Sequence, residues 1–321
     1  MQKAWIWTLP SLMATTWLAF TSPLQALPFT DPIAIPFEPA LDGSSYIPEG
    51  ASPSNRALGE SVRAIVNDDG RIPVTSRRYP WSAIGRVDWV NAQGRTTGSC
   101  TGTLIGVDLV LTNAHCVIDP DSDRPTTQTI VFRPNLIRGR SDQQAEVIDI
   151  AYGDSPYTGA SADDWAVLRL DQPLGQEYGY LGWRTLDLED QDVLDQMTGN
   201  ISIVGYAGDF PTEAMVVFGE PGETAGLSER CSILLVVPEG DFANTLIHDC
   251  DTNPGASGGP ILAQFEDGEY YLVGLHSGSV SLLESITLPT GEQTDILNRG
   301  VQVSRWSGQA AQWRQGRSHL Q

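Results

Sequence analysis

Gly255-Ala256-Ser257-Gly258-Gly259-Pro260 is the stretch on which the reading of this chain turns. Glycines on both sides of a serine allow a tight turn that exposes the hydroxyl and aims backbone N–H groups at a developing oxyanion. A serine hydroxyl is a poor nucleophile near neutral pH. It needs a base within hydrogen-bond reach and an acceptor that holds the base in one tautomer. Working outward, the candidate base is His115 in Leu111-Thr112-Asn113-Ala114-His115-Cys116. The candidate acceptor is Asp164 in Asp163-Asp164-Trp165-Ala166-Val167-Leu168-Arg169-Leu170. A carboxylate heading so apolar a run needs a partner if it is buried, and an imidazole N–H serves.

The segments around these residues read as all-β. Short alternating or β-branched runs recur over 82–90, 99–105, 108–112, 129–132, 145–150, 165–170, 201–206, 233–237 and 270–275, with Gly, Pro, Asn and Asp between them. Glu266-Asp267-Gly268 is a good hairpin turn. Many strands with little helical periodicity imply a sandwich or barrels. One helix is expected, over 303–313, with Trp306, Ala310 and Trp313 on one face. The serine turn also satisfies G-x-S-x-G, the elbow of α/β-hydrolases, but that fold places its acid and then its histidine after the serine. Only His276 and His319 follow Ser257. The first leaves little room for a helix and an acid-bearing strand, and the second sits in a polar tail.

Composition narrows the field further. The 321 residues include 40 Asp and Glu against 19 Lys and Arg, for a formal charge of −21. The length allows one large domain or two mid-sized ones with a genuine core. The acidity argues against a nucleic-acid partner, whose phosphates demand a basic face, and against electrostatic docking on anionic lipid. Lys3 is the only lysine, which removes Schiff-base chemistry, Ser-Lys dyads and Walker-type phosphate loops. No D-x-[DN]-x-[DN]-G array is present, and no metal site is assigned.

Lys3 opens an apolar run over 4–20 that closes in Thr21-Ser22-Pro23-Leu24-Gln25-Ala26, so residues 1–26 have the form of a secretory signal peptide. The run is short for a membrane anchor, and no later segment could span a bilayer. Residues 27–63 hold Pro28, Pro32, Pro36, Pro39, Pro48 and Pro53 and no periodic apolar stretch. They read as a pro-segment or linker with no core of its own, leaving 64–321 as the main domain. Export to a secreted or periplasmic location permits a Cys100–Cys116 disulfide that fixes the turn presenting His115.

With the order His115, Asp164, Ser257 the chain resembles the chymotrypsin-fold serine proteases, from about Arg71 to the terminal helix. That resemblance implies two six-stranded antiparallel β-barrels, over about 72–172 and 173–300, followed by a C-terminal helix over about 301–314. It implies a catalytic triad of His115, Asp164 and Ser257, an oxyanion hole from the Gly255 and Ser257 amides, and protein or peptide substrates handled by a monomer without a cofactor. The sequence lacks an Ile-Val-Gly-Gly start, and Ala256 replaces the aspartate that in digestive-type relatives pairs with a liberated amino terminus.

Asn67-Asp68-Asp69-Gly70-Arg71, Tyr79-Pro80 and Ser99-Cys100-Thr101-Gly102 are instead similar to the bacterial glutamyl endopeptidases. By that analogy, maturation falls near Arg63-Ala64, with Glu60-Ser61 a second position. The same likeness implies a pocket for a glutamate side chain lined by Thr252 and His276, with His276 as an imidazolium. Ser277 and Ser279 lie beside the substrate, and Ser277 supports Asp164. Asp251, next to Thr252, keeps a trypsin-like pocket open as an alternative. A protease of other specificity and an inactive protease-shaped binding module remain further alternatives. His276 can also be read as a structural histidine, as His248 is. Cys231 and Cys250 are left to each other.

Overall fold

The computed structural model describes residues 33–55, 57, 70–154 and 161–316. The expected signal peptide and the expected maturation positions lie outside them. The first half of the main domain is a closed antiparallel barrel of six strands. Around the barrel these are Ile84–Val90, Thr96–Leu104, Leu109–Thr112, Ala166–Leu170, Ala145–Tyr152 and Thr129–Pro134, the last closing on the first. Val87, Leu104, Val110, Phe132 and Leu168 fill its interior, each fully buried. Removing a side chain of that size from water stabilises the fold by ~1.5–3 kcal/mol.

The second half is a nine-stranded sheet. Its path runs Ile72–Pro73, Gly226–Cys231, Ile201–Gly205, Pro260–Gln264, Tyr270–Thr287, Gln293–Gln302, Leu246–His248 and Ile233–Val236, with Gly182–Trp183 attached to Tyr270–Thr287. Residues 72 and 73, expected in the first barrel, pair instead with Leu227 and Gly226 of this second sheet. Their backbone groups find an open edge there, and sequence position alone does not reveal it.

The expected C-terminal helix is Val303–Arg314, and it buries Val303, Trp306, Ala310 and Trp313. Trp306 meets Trp183 edge-to-face at 5.4 Å between ring centroids, and the Arg169 guanidinium lies over Trp313 at 4.9 Å. Two short helices, Gly175–Tyr178 and Gln191–Met197, are additional. Both disulfides, Cys100–Cys116 and Cys231–Cys250, are formed. Among the described residues no helix is long and apolar enough to cross a membrane.

Residues 33–55 do not stand apart. Gly43 exchanges two backbone hydrogen bonds with Trp183, and Tyr46 exchanges two with Tyr180. Ile33 is buried in the core of the second sheet. The Trp183 indole N–H donates to the Leu41 carbonyl at 3.1 Å and the Trp81 indole N–H to the Ser54 carbonyl at 2.7 Å. Arg314 of the terminal helix reaches the Ser44 carbonyl at 2.9 Å. The segment is extended, as its prolines suggest, but it is docked as a strap on the domain.

Candidate active site

His115 sits in a single turn of 3-10 helix, Ala114–Cys116, directly after the strand Leu109–Thr112. The Cys100 disulfide ties this turn to the neighbouring strand. Asp164 precedes Ala166–Leu170, is 4% exposed, and grips His115 twice. Its Oδ1 accepts the His115 backbone N–H at 3.0 Å, and its Oδ2 lies 2.7 Å from the ring Nδ1. Asn113 Nδ2 donates to the Asp164 carbonyl at 2.7 Å, fixing the backbone of the acid as well. A carboxylate at Nδ1 places the ring proton there and leaves Nε2 free as a base. The neighbouring Asp163 is taken by Arg305 of the terminal helix, so of the two adjacent carboxylates only Asp164 faces the histidine.

Ser257 is brought to the same place from the second sheet. Its carbonyl accepts the Thr101 N–H at 2.8 Å and lies 3.9 Å from Cys116 Sγ. Gly258 has φ +80°, and a Cβ there would lie 2.2 Å from the Thr101 carbonyl oxygen. No other residue type allows so close an approach of this turn to the first barrel. Thr101 is the stitch between the two halves. Its hydroxyl donates to the Gly255 carbonyl at 2.9 Å and accepts the Tyr206 N–H at 2.9 Å. Among the described residues, Ser257 Oγ makes no hydrogen bond, and the serine–histidine contact is open. Such contacts tighten when substrate arrives.

The expected pocket residues Thr252, His276, Ser277 and Ser279 fall on the nucleophile loop and the strand Tyr270–Thr287. Thr252 Oγ1 donates to Asn298 Oδ1 at 3.1 Å, and Asn298 Nδ2 donates to the Cys250 carbonyl at 2.7 Å. Asn298 stands opposite Ser279 in strand register. No sequence signal marked it, because strand register decides its place. Ser277 Oγ reaches the Arg299 carbonyl at 3.5 Å rather than Asp164. The expected support of Asp164 by the Ser277 hydroxyl is not formed.

His276 is 2% exposed and stacks edge-to-face on His248. The Cys250 N–H points at His248 Nδ1 at 3.3 Å, so His248 carries its proton on Nε2. That nitrogen faces His276 Nδ1 at 3.2 Å. Burial pushes the His248 pKa down to about 3. Burial, followed by His248, His115 and Arg299, also lowers His276 well below its ordinary value. The expected imidazolium is therefore a neutral ring. His248, read from sequence as structural, touches the pocket histidine directly.

Asp251 is exposed and turned toward the start of the domain, with Oδ2 3.3 Å from where a Cβ on Gly70 would lie. The one group of clustered ligand atoms among the described residues, Cys100, His115 and Cys116, has both sulfurs in a disulfide and offers a single imidazole.

A double-gripped histidine beside a glycine-flanked serine, at the junction of a six-stranded barrel and a second β-sheet, defines a serine-peptidase type of site. The family model of the trypsin-like peptidase domain matches residues 100–275, more than half of the chain, and the chain belongs to that family. It is 27% identical over 208 residues to the glutamyl endopeptidase of Bacillus licheniformis, a match covering 64% of this chain and 56% of that protein. The match thus spans little more than half the length of the relative. Among solved structures, a Glu endopeptidase in complex with MPD superposes with TM-score 0.54 at 23% identity, covering 79% of this chain and 100% of that one. The thermostable serine protease AL20 from an extremophilic microorganism gives 0.52 at 17% identity, covering 74% and 99%. Both share the fold.

Proposed function

We propose that this chain is an exported serine endopeptidase that cleaves peptide bonds through an acyl-enzyme on Ser257, after Glu and less readily after Asp. The observation that carries the reading is the double grip of buried Asp164 on His115. Ser257 Oγ attacks the scissile carbonyl and passes its proton to His115 Nε2. The oxyanion is met by the Gly255 and Ser257 amides, and His115 returns the proton to the leaving amine. Water then repeats the sequence on the ester. The likeness to a glutamyl endopeptidase supports a carboxylate-binding pocket. So does the polar lining of His276, Thr252 and Asn298, in which Asn298 keeps a second amide N–H beyond the one given to Cys250. Export is supported by the leader and by two disulfides, which persist in oxidising compartments.

Cleavage of a peptide library by the mature protein tests this. Glu should dominate at the residue before the cut, and His276→Ala should lower the Glu-to-Leu ratio by ~100-fold, since a site built on hydrogen bonds discriminates strongly. Equal losses on Glu and Leu substrates would remove the pocket assignment. A preference for Arg would return Asp251 to the pocket floor.

A further inference from the structure

We propose that Arg71 is a positioning residue for the oxyanion hole: acting through Asp209, it locks the Pro254–Gly255 peptide in place without a liberated amino terminus. The inference rests on the peptidase reading above. Arg71 is 6% exposed and lies just before the strand Ile72–Pro73. Its Nη1 and Nη2 donate to Asp209 Oδ1 and Oδ2, each at 2.9 Å, and its guanidinium stacks over Phe210 at 5.0 Å. Asp209 Oδ2 also accepts Asn253 Nδ2 at 2.6 Å. Burial alone would raise the Asp209 pKa, but the hydrogen bonds from Arg71 and Asn253 outweigh it and hold the carboxyl below its ordinary range. The anion thus bridges the start of the domain to the loop that carries Ser257.

The neighbour of Asp209 completes the lock. The Gly208 N–H donates to the Pro254 carbonyl at 2.8 Å. A trans peptide sends its C=O and N–H in opposite directions, so pinning the Pro254 oxygen onto Gly208 sets the direction of the Gly255 N–H. Turning that peptide over would break the Gly208 bond. Gly255 is pressed against the same loop, for at φ +102° a Cβ would lie 2.5 Å from the Tyr206 carbonyl oxygen. The Ala256 N–H, donated to the Asn253 carbonyl at 3.0 Å, closes the turn on its other side.

Position 256 carries no carboxylate. The Ala256 methyl is packed with Ala207, Phe210, Met215 and Phe218. Arg71 lines the small cavity behind it, together with Asp251 and Thr252. A bidentate guanidinium–carboxylate pair holds direction as well as distance, which a lysine ammonium does not reproduce. Because Arg71 is an internal residue, the clamp is closed in the full-length chain.

The test compares wild type with Arg71→Gln, Arg71→Lys and Asp209→Asn on one peptide substrate. It adds the affinities of a peptide boronate, which occupies the oxyanion hole, and of the product peptide, which does not need it. Arg71→Gln should lower kcat by ~10–100-fold, below the ~100–1,000-fold lost with a whole oxyanion donor, with KM within about twofold. Boronate affinity should fall in step with kcat while product affinity holds, and Arg71→Lys should recover only part. A loss carried by KM, or an equal loss of boronate and product binding, overturns the proposal. If Arg71→Gln does not fold, the near-isosteric Asp209→Asn decides by the same criteria. Wild type inert to a serine-directed phosphonate would sink the peptidase reading itself, which is a different failure.

Discussion

The cleft at the junction of the barrel and the second sheet and the strap of residues 33–55 contrast in how they announce themselves. In the cleft, residue chemistry is distinctive. A serine among glycines, a histidine beside a cysteine and a carboxylate heading an apolar strand each carry a recognisable role, and the chain brings His115 and Asp164 to 2.7 Å. In the strap, nothing in the side-chain pattern indicates a partner. Its attachment is made by backbone groups, such as the paired bonds of Gly43 with Trp183, and by isolated anchors such as Ile33. A segment can therefore be integral to a fold without hydrophobic periodicity, provided that another element presents an edge for it to pair with.

The contrast is broken most sharply at Ser257. Ser257→Ala should lower peptide hydrolysis by ~10⁴-fold or more, as removal of a triad member does, with the melting temperature unchanged. A purified variant of full activity would refute the mechanism. The strap should behave in the opposite way. A Cβ on Gly43 would lie 2.6 Å from the Trp183 ring, and neither partner can yield cheaply, so Gly43→Val should cost ~1–3 kcal/mol of stability. Denaturant unfolding of the variant should show that loss while kcat/KM of the folded protein holds. An unchanged midpoint would mean that the strap contributes nothing to the fold.

The smallest effect concerns acid. His248 is neutral in the native protein, with its pKa lowered from 6.5 to about 3. The unfolded chain binds the extra proton first, so the contribution of His248 to stability is complete above pH 6.5 and declines as pH falls toward about 3. His248→Asn removes this titration. Its melting temperature should vary less with pH than that of wild type across that window. His276, also lowered, and Asp249, raised by burial, titrate in both proteins. Parallel profiles would show that His248 is not neutral when folded.

Much of the first barrel, the terminal helix and the meeting of His115 with Asp164 were legible because their signals are short in sequence. Trp306, Ala310 and Trp313 mark one helix face, and alternating strands mark the sheet. The neutral state of His276 was not legible, since it follows from burial against His248 rather than from residue type. Asn298 met Thr252 through strand register, and the Ser277 hydroxyl turned to the Arg299 carbonyl rather than to Asp164. The edge taken by residues 72 and 73 was hidden for the same reason.

By itself the sequence determined the candidate reactive side chains, their order, the acidic balance and the cysteines available for bridging. These depend on residue identity and short-range pattern. Tertiary structure alone decided which groups are dry, which carbonyl each amide meets, and how Arg71 comes to hold Asp209 across 138 positions. Hydrogen-bond partners and desolvation are properties of neighbours in space, and in a β-fold those neighbours are far apart along the chain.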